Sequence, residues 1–328
     1  MPPPPCPETI LIYVGIDAVG DGLFKLPFVR GLRALFPAAR LTWLAGKGPS
    51  VYARGLAPLV APLIDEVVDE AGIGSRPAVL RRRPLGGRAF ELGIDTQRRL
   101  LTTLILRRVR HRRFVSAAAG HLLSDARPPR RRGKPASMAA QLADLAELAA
   151  GRPLPPLPPL VLPDDATAEA ARLLPDGGRY LALAPGAGGR HKCWPLDRYL
   201  ALAAQAEGMG LTPVVVLGPA EAATWVAPVR AALPGARLPL QDAADPSPML
   251  TIALGRRCAA AIANDSGAGH MLAAADIPLL SLVGPTPAEK FPPATPRGRV
   301  LRAQDFGDSA MTAIPVEAVA AALRGLLA

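Results

Sequence analysis

The chain has 328 residues, half of them hydrophobic, which is more than the roughly 100–200 residues of one ordinary domain and predicts two cores. Its net charge of +11 is localised: residues 81–132 hold fifteen arginines against Glu91, Asp95 and Asp125, so the remainder is close to neutral. Three cysteines (Cys6, Cys193, Cys258), an odd number without C-x-x-C spacing, suggest neither a disulfide framework nor a zinc site, and no run reaches the ~18 apolar residues of a membrane-spanning helix.

In chain order, the start lacks a basic n-region, and the apolar run Ile10 to Val14 has the length of a strand, not of a signal sequence. A reducing, cytoplasmic setting is expected. Short apolar runs then alternate with helical spacing, the pattern of parallel α/β architecture. Strands are predicted at Ile10 to Val14, Leu41 to Leu44, Glu66 to Val68 and Glu91 to Ile94, and helices at Gly22 to Leu35 and Gln97 to Arg108. Proline, at 38 residues about twice the usual ~5%, clusters at Met1 to Pro7, Pro153 to Pro163 and Pro292 to Pro296. The run RPLPPLPPLVLPDD at 152–165 cannot continue a helix or a central strand, because each proline removes an N–H and fixes φ. It predicts a boundary between a domain at 1–155 and one at 165–328. Beyond it, strands are predicted at Tyr180 to Ala184, Thr212 to Leu217, Ala259 to Ala263 and Pro278 to Leu282. Helices are predicted to start near Pro195, Ala220, Gly267 and Val316, and the last of them has two possible partners, its own domain or the first.

Three strand-to-helix junctions carry polar or glycine-rich sequence, and in open α/β sheets that edge is where ligands bind. The first, Val19-Gly20-Asp21-Gly22, offers Asp21 either as a general base or as a helix cap. The second, Pro185-Gly186-Ala187-Gly188-Gly189-Arg190-His191-Lys192-Cys193-Trp194-Pro195, has small residues that let amides approach an anion, with Lys192 as a cation and Pro195 as the expected first helical residue. It is neither a Walker A loop nor G-x-G-x-x-G, and by spacing alone a plain turn fits as well. The third, Asn264-Asp265-Ser266-Gly267-Ala268-Gly269-His270, reads as a second anion cradle or as a helix with Asp265 or Ser266 at its N-cap and an ordinary His270. The arginine segment suits a polyanion, or is a solvated face. With 4% aromatic residues and no interleaved stacking platform, nucleic acid is not the expected partner.

Taken together, VGDGLFKLP near the start, Asp95-Thr96-Gln97, PGAGGRHKCWP, Leu217-Gly218-Pro219 with Glu221, NDSGAGHMLAA and Val283-Gly284-Pro285-Thr286 resemble glycosyltransferase family 9, in order and spacing, from Ile10 to about Leu327. The resemblance implies an α/β GT-B fold of two Rossmann-like domains facing across a cleft, the first holding an acceptor and the second a nucleotide sugar. It implies an inverting, metal-independent transfer without a cofactor. Heptose would pass from ADP-heptose to a phosphorylated glycolipid of the lipopolysaccharide core, with peripheral contact at the inner face of the inner membrane. On the matching positions, Asp21 would be the base and Lys192 would meet the donor phosphate. Gly186, Glu221, Asp265, Ser266, Gly267 and His270 would line the donor site, and Asp95, Gln97 and Arg98 the acceptor side. Gly15 and Asp17 depart from the family pattern, where a basic residue and Ser are usual. That departure leaves a catalytically silent nucleotide-sugar binder of the same fold as the alternative.

Overall fold

The computed structural model describes residues 6–74, 79, 84–128, 133, 135–286, 295 and 297–328. Arg81, Arg82, Arg83, Arg130, Arg131 and Arg132 of the basic segment lie outside the described residues, as do Met1 to Pro5 and the prolines Pro292, Pro293 and Pro296. The chain divides into two compact units, Met1–Pro159 and Leu160–Ala328.

In the first unit, β1 (Thr9–Val14), α1 (Val19–Leu35), β2 (Arg40–Ala45), α2 (Ala57–Val60), β3 (Glu66–Val68), β4 (Ala89–Asp95), α3 (Leu100–Leu106), β5 (Arg110–Ser116) and α4 (Met138–Ala150) follow one another. The five strands form a parallel sheet in the order β3-β2-β1-β4-β5. Central β1 is apolar and buried from Ile10 to Val14, because a parallel strand covered on both faces has no polar side to show. The order reverses between β1 and β4, so the loops leaving those strands meet at the crevice where such sheets bind ligands.

The second unit contains α5 (Asp164–Leu173), β6 (Tyr180–Ala184), α6 (Leu196–Glu207), β7 (Thr212–Val215), α7 (Pro219–Ala232), α8 (Pro239–Asp242), α9 (Pro248–Arg256), β8 (Cys258–Asn264), α10 (Gly267–Ala274), β9 (Leu279–Val283), β10 (Gly298–Arg302) and α11 (Val316–Leu327). Its parallel sheet runs β10-β9-β8-β6-β7, with the reversal between β6 and β8. The core gathers Leu181, Leu183, Trp194, Leu202, Ile262 and Leu280 with Val319 and Leu323 of α11. This helix packs on α6, β8 and β9 of the same unit.

Several expected boundaries move. Helix α1 begins three residues before Gly22, α3 is shorter than Gln97 to Arg108, and the strand from Thr212 ends at Val215. Pro195 is the N-cap of α6 and not its first residue, so its fixed φ sits just outside the helix. Two edge strands, β5 and β10, are absent from the sequence-based expectation. Their sequences, RHRRFVS and GRVLR, are too basic to read as strands, and each has a free side that tolerates charge.

Candidate functional site

At the reversal point of the second sheet a cavity of about 600 Å³ opens over the ends of β6, β7 and β8. Gly186, Gly218, Glu221, Gln241, Ser266 and Gly267 line it, with apolar walls from Leu217, Leu240 and Met271. Two of the glycines are there for room. A Cβ on Gly186 would lie 2.6 Å from Glu221 Cδ, and one on Gly218 would lie 2.9 Å from Glu221 Oε2, so the carboxylate folds over both backbones. Ser266 is the N-cap of α10, its Oγ accepting from Gly269 N–H at 3.2 Å. Of the two candidate caps, Ser266 takes the role, and Asp265 instead accepts from Thr286 Oγ1 at 2.8 Å.

The loop from Pro185 to Trp194 is held by a residue that the motif analysis left without a role. Asn264, 1% exposed, donates through Nδ2 to Pro185 O at 2.6 Å, and its Oδ1 accepts from Trp194 N–H at 3.1 Å and from the Tyr199 hydroxyl at 3.2 Å. One side chain therefore ties both ends of the glycine-rich loop to the end of β8. Trp194, fully buried, donates from Nε1 to Ile314 O at 2.9 Å, fixing the same loop to the segment before α11. Lys192 ends a 3-10 turn in this loop and is half-buried. Lys192, Asp265 and His270 are not among the cavity-lining residues, whereas Gly186, Glu221, Ser266 and Gly267 are.

In the first unit the two aspartates near β1 separate cleanly. Asp17 is 2% exposed and accepts from Ser50 Oγ at 2.6 Å, Trp43 Nε1 at 3.0 Å and Lys25 Nζ at 3.3 Å. It is a buried hub joining β1, α1 and β2. Asp21 is the third residue of α1, half-buried, and its carboxylate accepts no hydrogen bond among the described residues. The N-cap of α1 is Ala18, so the capping role that Asp21 offered on sequence falls to a residue with no capping side chain.

Asp95 is fully buried at the end of β4, where Thr103 Oγ1 (2.6 Å), Ser116 Oγ (2.9 Å) and Gln97 N–H (2.9 Å) donate to it. Burial pushes its carboxyl up to about 6, against the pull of those donors. With no exposed surface, Asp95 has no face to offer an acceptor; it shapes the loops around it. Gln97 is half-buried and Arg98 exposed. Gly15 has a local explanation here, since a Cβ on it would stand 3.2 Å from Gln97 Cδ. The Gln97 side chain fills the space that a larger residue at 15 would need.

Much of the described basic segment is spent inside the unit. Arg88 pairs with Glu66 (2.7 Å), Arg107 with Asp125 (2.9 Å) and Arg112 with Glu91 (3.0 Å), while Arg113 donates to the last carbonyls of α4, at Leu148 and Ala149. Arg108 and Arg110 are exposed and make no ion pair among the described residues. Among the described residues, no three His, Cys, Asp or Glu side chains converge as a metal site requires, and no helix is long and apolar enough to cross a membrane.

Comparison with known proteins places this geometry. No curated protein matches the chain by sequence. Among solved structures, a glycosyl transferase family 9 protein from Veillonella parvula superposes with a TM-score of 0.73 at 19% identity, covering 98% of this chain and 97% of that one. The ADP-heptose LPS heptosyltransferase II of E. coli gives 0.68 at 20% identity over 97% and 98%. E. coli heptosyltransferase WaaC, solved with ADP-2-deoxy-2-fluoro heptose, gives 0.65 at 15% identity over 97% and 99%. At these identities the likeness establishes the fold, a GT-B arrangement of two parallel α/β sheets. The family model described as glycosyltransferase family 9 (heptosyltransferase) matches residues 80–314, and with well over half of its length so matched the chain belongs to glycosyltransferase family 9.

Proposed function

We propose that this family 9 glycosyltransferase moves heptose from ADP-heptose to a phosphorylated glycolipid of the lipopolysaccharide core, inverting the anomeric centre in one displacement. The observation that carries the reading is the cavity at the second sheet's reversal point, with the N-terminus of α10 and the Asn264-braced glycine loop beside it. A helix N-terminus presents unpaired N–H groups and a positive dipole end, which suit a diphosphate. The apolar walls at Leu217, Leu240 and Met271 suit a nucleobase.

The first unit is assigned the acceptor and the base, the second the donor. An acceptor hydroxyl oxygen attacks the anomeric carbon, the bond from that carbon to the β-phosphate oxygen breaks, and its electrons leave with ADP. The hydroxyl proton passes to the Asp21 carboxylate, which must then lie about 2.6–3.2 Å from the oxygen it serves. That its carboxylate has no partner among the described residues supports this role, because an acid already tied to donors makes a poorer base. Negative charge growing on the leaving phosphate meets Lys192 and the α10 amides, and losing one such donor typically lowers the rate by about 10² to 10³. Peripheral contact with an anionic membrane face falls to exposed basic residues such as Arg108 and Arg110.

The test is calorimetry with ADP, then ADP release in the presence of a truncated core glycolipid. Asp21→Asn should lower kcat by about 10² to 10⁴ with ADP affinity unchanged. Near-normal turnover in that variant would remove Asp21 as the base, and no ADP binding by the folded chain would remove the donor assignment.

A further inference from the structure

The first turn of α1 is held without the usual device. Its N-cap is Ala18, which has no side chain to cap with, so the turn that carries Asp21 must be fixed from elsewhere. A closed circuit of hydrogen bonds does this, beginning and ending at Asp17. The Asp17 carboxylate accepts from Ser50 Oγ at 2.6 Å, and Ser50 Oγ in turn accepts from Tyr52 N–H at 3.1 Å as the cap of the short turn Val51–Ala53. The Tyr52 hydroxyl donates to Gly22 O at 2.7 Å. Further along the same helix, Lys25 Nζ donates back to Asp17 Oδ1 at 3.3 Å and to Ile16 O at 3.1 Å. A backbone bond of 3.3 Å from Val51 N–H to Asp17 O ties across the circuit.

The circuit is buried and tightly packed. Asp17, Lys25, Ser50 and Tyr52 are all buried. A Cβ on Gly22 would stand 2.6 Å from Val51 Cγ2 and 2.9 Å from Leu56 Cδ1, so the helix touches the 50–56 segment as closely as only glycine allows. Taking a carboxylate and an ammonium out of water is costly, and a buried ion pair is by itself weak evidence of stability. This pair stands out by its place. It closes around residues 17–25, and within that span Asp21 is half-buried, accepts no hydrogen bond among the described residues and comes one residue before the clamped Gly22. Both Asp17 oxygens are engaged, Oδ1 by Lys25 and Oδ2 by Ser50 and Trp43, whereas Asp21 is left open.

We propose that Asp17, Lys25 and Tyr52 are positioning residues for the reaction: their circuit sets where the Asp21 carboxylate stands to receive the acceptor proton, and none of the three touches a substrate. The proposal rests on the reading of Asp21 as the base. Displacing a reacting group by about 1 Å costs up to about 10² in rate, so a turn without a side-chain cap would be a poor mount for a base unless something else fixed it. A serine at 17, the residue usual in the family, would leave the Lys25 ammonium buried without a counter-charge, so the departure at 17 belongs with Lys25.

The test is a double-mutant cycle on kcat in the full chain, run below the unfolding transition of each variant. Tyr52→Phe removes the bond to Gly22 O and keeps the aromatic ring, and Lys25→Met opens the circuit at the ion pair. Each should lower kcat by about 10 to 10² with ADP affinity unchanged. In an Asp21→Asn background the same changes should lower the residual turnover by less than about twofold, because they act only through the base. If Lys25→Met does not fold, Tyr52→Phe carries the cycle. Amide exchange at Gly22, whose N–H bonds Ala18 O at 2.8 Å, should quicken about tenfold in Tyr52→Phe and stay unchanged at Val29 of the same helix. Loss of turnover in Asp21→Asn with parental kcat in both circuit variants overturns the positioning role alone. Losses that add to that of Asp21→Asn overturn it too, since the circuit then acts elsewhere. Near-normal turnover in Asp21→Asn removes the base and with it anything to position. Unchanged exchange at Gly22 overturns the proposal whether or not the chain transfers a sugar.

Discussion

Replacing Asn264 with Leu keeps the branched outline of the side chain and removes three hydrogen bonds at once, to Pro185 O, Trp194 N–H and the Tyr199 hydroxyl. Each such bond contributes about 1 kcal/mol net, and a buried partner left unpaired costs about 1–3 kcal/mol. The Trp194 N–H and the Pro185 carbonyl both lie in buried residues and would lose their Asn264 bonds, so the expected loss is about 3–5 kcal/mol. In a unit the size of Leu160–Ala328, where 1 kcal/mol shifts Tm by about 2–4 °C, that is a fall of roughly 6–20 °C. Urea unfolding followed by tryptophan fluorescence reads it, since Trp194 is fully buried. ADP calorimetry reads the loop, whose two ends are no longer tied together. Asn264→Asp sharpens the test: it keeps the acceptor for Trp194 and Tyr199 but faces Pro185 O with an oxygen, so it bonds only when protonated and its stability should fall as pH rises. An Asn264→Leu protein within about 1 kcal/mol of the parent and with unchanged ADP affinity would refute the reasoning.

Asp17→Asn should destabilise the first unit by about 3–5 kcal/mol, because Lys25, 7% exposed, is left as an uncompensated buried charge. Asp21→Asn should cost under about 1 kcal/mol, and the reverse ranking in urea melts would exchange the two assignments. Burial raises Asp95 from 3.8 to about 6, so the folded chain holds its proton more tightly than the unfolded one, and stability falls as pH rises from about 4 to about 6. Asp95→Asn should flatten that limb, and parallel stability-against-pH curves for parent and variant across the window would contradict it. Gly186→Ala puts a Cβ 2.6 Å from Glu221 Cδ and should displace the carboxylate, weakening ADP binding by about 1–3 kcal/mol. An unchanged Kd would show that the carboxylate position is immaterial.

The apolar strands of both sheets were legible in the sequence because fully buried parallel strands read as continuous hydrophobic runs. The strands β5 and β10 were not, since an edge position let arginine occupy places that a central strand would give to valine. The glycine loop and Ser266 were marked by their junctions and Glu221 by the family resemblance, but the bond network behind them was invisible. Asn264 reaches Pro185 across 79 positions and Asp17 reaches Trp43 across 26, and no local pattern encodes such distances. Asp95, put on the acceptor side by the family resemblance, is fully buried and accepts from Thr103, Ser116 and Gln97, a set of bonds that no local pattern encodes either.

The arginines of β5 also bear on how copies of this chain behave in a crowded solution. A parallel sheet ends in two rows of unpaired N–H and C=O groups, each a template on which a second molecule can stack. Here one rim of the first sheet has Arg110 and Arg112 exposed on β5, and one rim of the second has Arg299 and Arg302 exposed on β10. Two such rims approaching each other bring like charges together before any ladder forms. These cationic residues therefore act as gatekeepers against edge-to-edge aggregation, and exchanging them for neutral β-formers would shift the chain's fate from repulsion to self-association.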